Sequence, residues 1–200
     1  MLETSLSSNL QFIAATTAIL AVPGPTNALL AASGATLGIR RSLKLIPAVF
    51  IAYLGAILAW GCVLAPATAF WPQFAPLLRL ACALFLATTA VRLWRGTAAL
   101  TAKPKAPVTS RIVTLVTLIN PKALLFATGL FPPAAFTRPD VFYATALAFA
   151  IPLLPIAAAW IGFGAACEGA VGGFSAQGIQ KISAIVLGVF SASIGVSALV

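Results

Sequence analysis

The 200-residue chain is 61% hydrophobic and only 8% charged, whereas soluble domains are about 45–50% apolar and about 25% charged. A water-soluble fold of this length would have to present an outer surface made mostly of apolar side chains, which excludes an ordinary soluble domain. The net charge of +9 does not indicate a nucleic-acid partner, because the basic residues stand in short connectors between apolar runs and not on a solvated face.

Polar and Pro/Gly-rich positions divide the chain into six predicted transmembrane helices. A span needs about 20 mostly apolar residues, and six segments meet that requirement with little of the chain left over. They are 8–32, 45–66, 74–94, 112–132, 142–166 and 180–199. The expected fold class is therefore an all-α integral membrane protein whose residues 1–200 form a single domain in the lipid bilayer.

Prolines interrupt the first and the fourth of these spans. Pro23-Gly24-Pro25 removes two amide donors and allows the first span to unwind, and Asn120-Pro121 interrupts the fourth. Three spans per half would insert the second half upside down relative to the first. Paired interruptions at equivalent positions are then typical of the inverted repeats of secondary transporters. The predicted halves are 1–96 and 111–200, joined by a basic cytoplasmic linker at 97–110.

Two connectors carry most of the positive charge. The connectors 38–44 and 92–111 hold eight lysines and arginines, and short connectors of this kind face the cytoplasm. The connector after the second span is uncharged, and the one after the fourth holds only an Arg-Asp pair, so both are predicted to face outward. Because two spans separate the basic connectors, one orientation satisfies both, with the N-terminus and the C-terminus outside.

The break at Pro23-Gly24-Pro25 is the first candidate site. Backbone groups that unwinding frees must face protein or a wet cavity when they lie in hydrocarbon. The second half-helix begins at Thr26 and Asn27, whose side chains are expected to cap it or to contact a ligand. Its positive end favours an anion such as a carboxylate. The structural alternative is a plain kink, which Pro and Gly commonly produce in transmembrane helices.

Lys122 is the second candidate site. It lies eleven residues after Arg111, which at about 1.5 Å per residue is roughly 16 Å into the bilayer and near its midplane. A lysine at that depth costs about 2.5–3.5 kcal/mol on insertion scales, so it is predicted to face the bundle interior and meet a partner. The structural alternatives are that it snorkels to the interface or that it pairs with carbonyls freed by Pro121.

The sequence supports neither catalytic nor redox chemistry. All three acidic residues lie near the ends or in connectors, there is no His, and the three cysteines form no C-x-x-C pair. We therefore expect no enzyme, no metal and no cofactor. An electron-relaying membrane oxidoreductase would need a cysteine pair, and a metal-ion exporter would need carboxylate or thiolate ligands. A structural or accessory membrane subunit remains an alternative.

Two motifs resemble those of a known family. Val22-Pro23-Gly24-Pro25-Thr26-Asn27, followed by Gly38-Ile39-Arg40-Arg41-Ser42-Leu43, is similar to the N-terminal signature of the LysE/RhtB amino-acid exporters. Asn120-Pro121-Lys122-Ala123, with Phe126 and Pro132 after it, resembles the Asn-Pro-Lys signature that begins the second half in that family. Order, register, length and the six-span layout agree, so the likeness covers the whole chain.

The resemblance implies a multi-pass protein of the bacterial cytoplasmic (inner) membrane, a secondary transporter that exports amino acids or related small metabolites. An ion gradient, with H⁺ as the candidate coupling ion, would drive it. The residues that match the family pattern are Pro23, Gly24, Pro25, Asn120, Pro121 and Lys122. Thr26 departs from it by replacing an Asn, although Asn27 follows directly. Export of another small solute or ion, and assembly as a homo-oligomer, remain open.

Overall fold

The computed structural model describes residues 2–95 and 108–169, together with nine positions in the last segment. Those positions are 181, 184, 185, 188, 189, 191, 192, 195 and 196. Over these ranges the regular structure is entirely helical and contains no strand, which confirms the all-α class. Most of the predicted linker 97–110 lies outside the described residues.

Eight α-helices and two short 3₁₀ turns occur in the described ranges. The helices are α1 (Leu2–Ala21), α2 (Pro25–Leu37), α3 (Ile39–Ser42), α4 (Ile46–Phe70), α5 (Phe74–Trp94), α6 (Ser110–Leu118), α7 (Pro121–Gly129) and α8 (Pro139–Gly169). The 3₁₀ turns Leu43–Leu45 and Pro133–Phe136 lead into α4 and α8. The described positions from 181 to 196 are helical as well.

Both breaks predicted from the sequence are present. The segment Asn9–Ala21 of α1 is bent by 64° relative to α2, and α6 is bent by 49° relative to α7. Pro25 and Pro121 each stand at the first turn of the half-helix that follows the break. A proline is favourable there, because the amide that it lacks would have no partner within the helix.

The helices are those of a membrane protein. Ile39–Leu64 and Pro139–Cys167 are each long and apolar enough to cross a bilayer, and each bent pair also qualifies if it is one broken span. The described residues therefore hold two to four candidate spans. Ile51 on α4 and Leu147 on α8 are 69% and 71% exposed, as expected where lipid replaces water as the solvent.

The six-span inverted repeat stays a prediction. The third predicted span coincides with α5, and the sixth falls on the partly described segment near the C-terminus. That segment contacts α5, since the hydroxyl of Ser191 donates a hydrogen bond to the carbonyl of Ala83 at 2.8 Å.

Helices α2 and α8 cross in close backbone contact. A Cβ atom placed on Gly34 would overlap the backbone carbonyl of Ile161, and one placed on Gly164 would overlap that of Ala31. Each helix therefore supplies a glycine where the other presents its backbone. Gly38 has a different role, because it has open space around it and ends α2 with φ 74°, a conformation that favours glycine.

Candidate functional site

The two helix breaks contact each other in the interior of the protein. Asn120, in the break between α6 and α7, donates to the hydroxyl of Thr26 at the start of α2. Lys122, in the first turn of α7, reaches the carbonyl of Val22 in the other break. The structure thus brings together Pro23, Gly24, Pro25, Thr26 and Asn27 with Asn120, Pro121 and Lys122, all of which the sequence singled out.

Asn120 joins three elements through one side chain. Its Oδ1 accepts a hydrogen bond from the backbone amide of Lys122 at 3.0 Å and so caps α7. Its Nδ2 donates to Thr26 Oγ1 at 2.9 Å and to the Tyr53 hydroxyl at 3.2 Å. Both amide hydrogens are therefore used, and the side chain is only 2% exposed.

Thr26 and Thr117 extend this buried polar network. Their hydroxyl oxygens lie 3.1 Å apart, and both residues are fully buried. Tyr53, Asn120, Thr26 and Thr117 thus form a continuous chain of hydrogen bonds between α4, the second break, α2 and α6. The expectation that Thr26 or Asn27 caps α2 is wrong, because the N-cap residue is Gly24 and no side chain caps this helix.

Asn27 instead turns back across the first break. Its Nδ2 donates to the carbonyl of Leu20 at 2.7 Å and to the carbonyl of Val22 at 2.8 Å. These two carbonyls lie at the C-terminal end of α1, beyond the reach of regular helical hydrogen bonding. The side chain therefore stabilises the end of one half-helix from the start of the next.

Lys122 donates to the same two carbonyls. Its Nζ lies 3.4 Å from the carbonyl oxygen of Leu20 and also contacts that of Val22. The residue is 5% exposed, so the snorkelling alternative is wrong. The carbonyls belong to the first break and not to the one at Pro121. The negative end of the α1 dipole stabilises a positive charge at this point.

The ammonium of Lys122 has a third donor beyond its two described hydrogen bonds, and it packs closely against Gly24. An ammonium carries three N–H donors, and two of them are accounted for within the described ranges. A Cβ placed on Gly24 would lie 3.2 Å from Lys122 Cε and 3.4 Å from Nζ. A side chain at position 24 would therefore press against the end of the lysine, whereas the glycine does not.

A cluster of aromatic rings borders the polar network. Tyr53 packs edge-on against Phe126 and Phe149 with ring centroids 6.1 and 5.9 Å apart. Phe149 lies 5.0 Å from Phe126 and 5.8 Å from Phe131. All four rings are buried. Along α7 the cluster begins one turn beyond Lys122, so it borders that side of the site.

An apolar groove runs past the first break. Its volume is about 260 Å³, and it is lined by Ala21, Ile156, Ala159, Trp160 and Phe163. Ala21 lies between the two residues whose carbonyls bind Lys122. The groove therefore lies between the end of α1 and one face of α8.

Lys122 has no carboxylate partner among the side chains that the structure describes, of which Asp140 is the only acidic one. Asp140 pairs with Arg138 at 2.7 Å on the exposed surface. Among the described residues, no group of three or more His, Cys, Asp or Glu could hold a metal ion. Among the described groups, the partners of the Lys122 ammonium are the neutral carbonyls of Leu20 and Val22. An anionic ligand would supply the counter-charge that the described residues lack.

Tyr53 and Thr117 are site residues that the sequence reasoning missed. Tyr53 carries a phenol hydroxyl within the otherwise apolar predicted span 45–66, and a buried tyrosine hydroxyl usually has a hydrogen-bond partner. Thr117 stands three residues before Asn120, on the same predicted helix. Neither signal identifies the partner, because the contacts join residues that are far apart in the sequence.

The likeness to LysE/RhtB exporters rests on the two sequence motifs and stays a prediction. Comparisons with models of known families, with curated proteins and with solved structures found no match to this chain.

Proposed function

We propose that this protein is a secondary transporter that exports amino acids or related small carboxylates across the bacterial cytoplasmic membrane. The observation that carries the proposal is the buried ammonium of Lys122 beside an uncapped helix start. In a membrane protein, a buried ionisable residue is a candidate for a solute or ion pathway, and the described partners of this one are neutral carbonyls. The motif resemblance gives the same class of substrate.

The carboxylate of the solute binds between Lys122 and the start of α2. No side-chain hydrogen bond caps the first amides of α2, and a helix N-terminus favours an anion. The spare N–H of Lys122 provides a charge-assisted hydrogen bond to the same carboxylate. Gly24 keeps the end of Lys122 unhindered, since a Cβ at position 24 would press against it.

The contact between the two breaks supports a mechanism of alternating access. Because Asn120 and Lys122 on one broken helix bind the break of the other, a solute that moves either break also shifts its partner. In the predicted orientation the aromatic cluster lies on the outer side of the site and closes it. Rocking of the two halves, driven by an ion gradient such as that of H⁺, would open that side.

Efflux from proteoliposomes tests the proposal. Vesicles containing the protein are loaded with labelled amino acids, and efflux is compared for the wild type, Lys122→Ala and Lys44→Ala. Lys44 is an exposed lysine outside the site and serves as the matched control. We expect Lys44→Ala to behave as the wild type and Lys122→Ala to lose at least about tenfold in apparent affinity, since truncating a buried charge pair is costly.

Competition identifies the group that is recognised. Amino acids should inhibit efflux, whereas the corresponding amines, which lack the carboxylate, should not. Equal efflux by Lys122→Ala and the wild type would show that the site is assigned wrongly. If no amino acid leaves the vesicles, the proposed substrate class is wrong and an accessory role is favoured.

A further inference from the structure

Two backbone carbonyls converge on the ammonium of Lys122. The carbonyls of Leu20 and Val22 end a half-helix, and both residues are buried. Carbonyls at the C-terminal ends of broken transmembrane helices coordinate monovalent cations in transporters. The place that an inorganic cation would take is here occupied by a side chain from the other broken helix.

Hydrogen bonding alone does not account for the lysine. Asn27 Nδ2 already donates to both carbonyls, at 2.7 Å to Leu20 and at 2.8 Å to Val22. Each carbonyl oxygen therefore has a donor without Lys122, and the lysine gives each oxygen a second donor. Unlike the side-chain amide of Asn27, Lys122 supplies a positive charge at the negative end of α1.

We infer that the carbonyls of Leu20 and Val22 form a monovalent-cation site in which the ammonium of Lys122 is the tethered resident cation. The wild-type protein then needs no free Na⁺ or K⁺ at this point. Removing the ammonium without filling its space leaves a site for a free cation. Water and the amide oxygen of Asn27, after rotation of that side chain, complete its coordination.

This site is distinct from the proposed carboxylate position. The carbonyl pair lies at the C-terminal end of α1, whereas the carboxylate is proposed at the N-terminal end of α2. The experiment below measures cation binding through stability and involves no transport. The cation site can therefore be disproved while the proposed export function stands, and the export function can be disproved while the cation site stands.

The experiment compares the wild type with Lys122→Ala and Lys122→Met in detergent. Thermal unfolding is followed while N-methyl-D-glucamine chloride, whose cation is too large for the site, is replaced by NaCl or KCl at constant ionic strength. A ligand that binds the folded state raises the unfolding temperature saturably. We expect a rise of about 5 °C or more for Lys122→Ala. Lys122→Met, whose side chain fills the same space without a charge, should show no rise.

A flat response of folded Lys122→Ala to both salts would overturn the inference, as would a saturable rise in the wild type. The double variant Asn27→Asp/Lys122→Ala is the second test, because a carboxylate beside the two carbonyls strengthens cation binding. Recovery of either variant in NaCl or KCl but not in N-methyl-D-glucamine chloride would support the inference. Failure of both variants to fold in any of the salts would overturn it, since a free cation would then be unable to replace the lysine.

Discussion

At the scale of single residues, the side chain of Asn120 makes more of the described hydrogen bonds than any other in the site. It caps α7 and also donates to the hydroxyls of Thr26 and Tyr53. A cap and a buried network usually depend on different side chains. Their combination in one residue means that a single substitution affects the start of α7 and the contact between the two breaks together.

We expect Asn120→Ala to destabilise the protein more than Thr109→Ala. Thr109 caps α6 from an exposed position, so its loss removes a cap alone, at a cost of about 0.5–2 kcal/mol. Asn120→Ala removes a cap and also leaves buried hydroxyls without their donor, which adds about 1–3 kcal/mol. Thermal unfolding of the two purified variants measures the difference. Equal decreases in unfolding temperature would mean that the buried network contributes nothing to stability.

The residue scale also separates what the sequence predicts from what it does not. Lys122 was predicted to face the interior because a charged side chain is costly in hydrocarbon, and its burial confirms this. Its partners were not predictable, because Leu20 and Val22 precede it by about 100 residues and use backbone atoms. Backbone carbonyls carry no residue-specific signal, so only the fold reveals them.

At the scale of elements, the glycines explain how α2 and α8 approach. In lipid the helices gain little from the hydrophobic effect, and close packing through small residues replaces it. Gly34 and Gly164 each meet the backbone of the opposite helix. Gly38, four residues after Gly34, takes no part in this crossing, because a Cβ there would meet open space and its positive φ ends α2.

We expect Gly164→Ala and Gly162→Ala to change stability in opposite directions. A Cβ at position 164 would overlap the carbonyl of Ala31 and force the helices apart, at a cost of about 1–3 kcal/mol. Position 162, on the same helix, has open space around it. There, alanine gains about 0.5–1 kcal/mol because it restricts the unfolded backbone. Denaturant titration of the folded helix content measures both, and a stabilised Gly164→Ala would contradict the close crossing.

The breaks themselves were predictable as elements. Proline removes an amide donor wherever it stands, so Pro23-Gly24-Pro25 and Asn120-Pro121 predict interruptions without knowledge of the fold. The bends of 64° and 49° lie at these positions. Whether the two breaks would meet was not predictable from local chemistry, because it depends on how α1, α2, α6 and α7 pack together.

At the scale of the whole molecule, the arrangement of charge fixes an expected orientation. Arg40, Arg41 and Lys44 are exposed between α2 and α4, and the other basic connector is the one predicted to lie on the same side. The turn at 71–73 and the segment 132–138 lie at the opposite ends of α4 and α7. Positive residues are retained in the cytoplasm during insertion, so these two connectors should face outward.

Cysteine labelling measures this orientation directly. Replacing Cys62, Cys82 and Cys167 first gives a background without thiols, and retained activity in that background would also exclude an electron-relaying role. Single cysteines are then placed at Arg41, Gln73 and Thr137, which are all exposed. In intact cells a membrane-impermeant maleimide should label Gln73→Cys and Thr137→Cys. Arg41→Cys should react only after the cells are permeabilised.

The opposite pattern would place both termini in the cytoplasm and the aromatic cluster on the cytoplasmic side of the proposed site. Labelling of all three positions in intact cells would mean that the chain inserts in both orientations, since each population would then expose one set of connectors. The predicted pattern would place the aromatic cluster of Tyr53, Phe126, Phe131 and Phe149 between the site and the outside. An exporter with that layout would hold its solute behind an outer barrier, and opening this barrier would be the step that releases the solute.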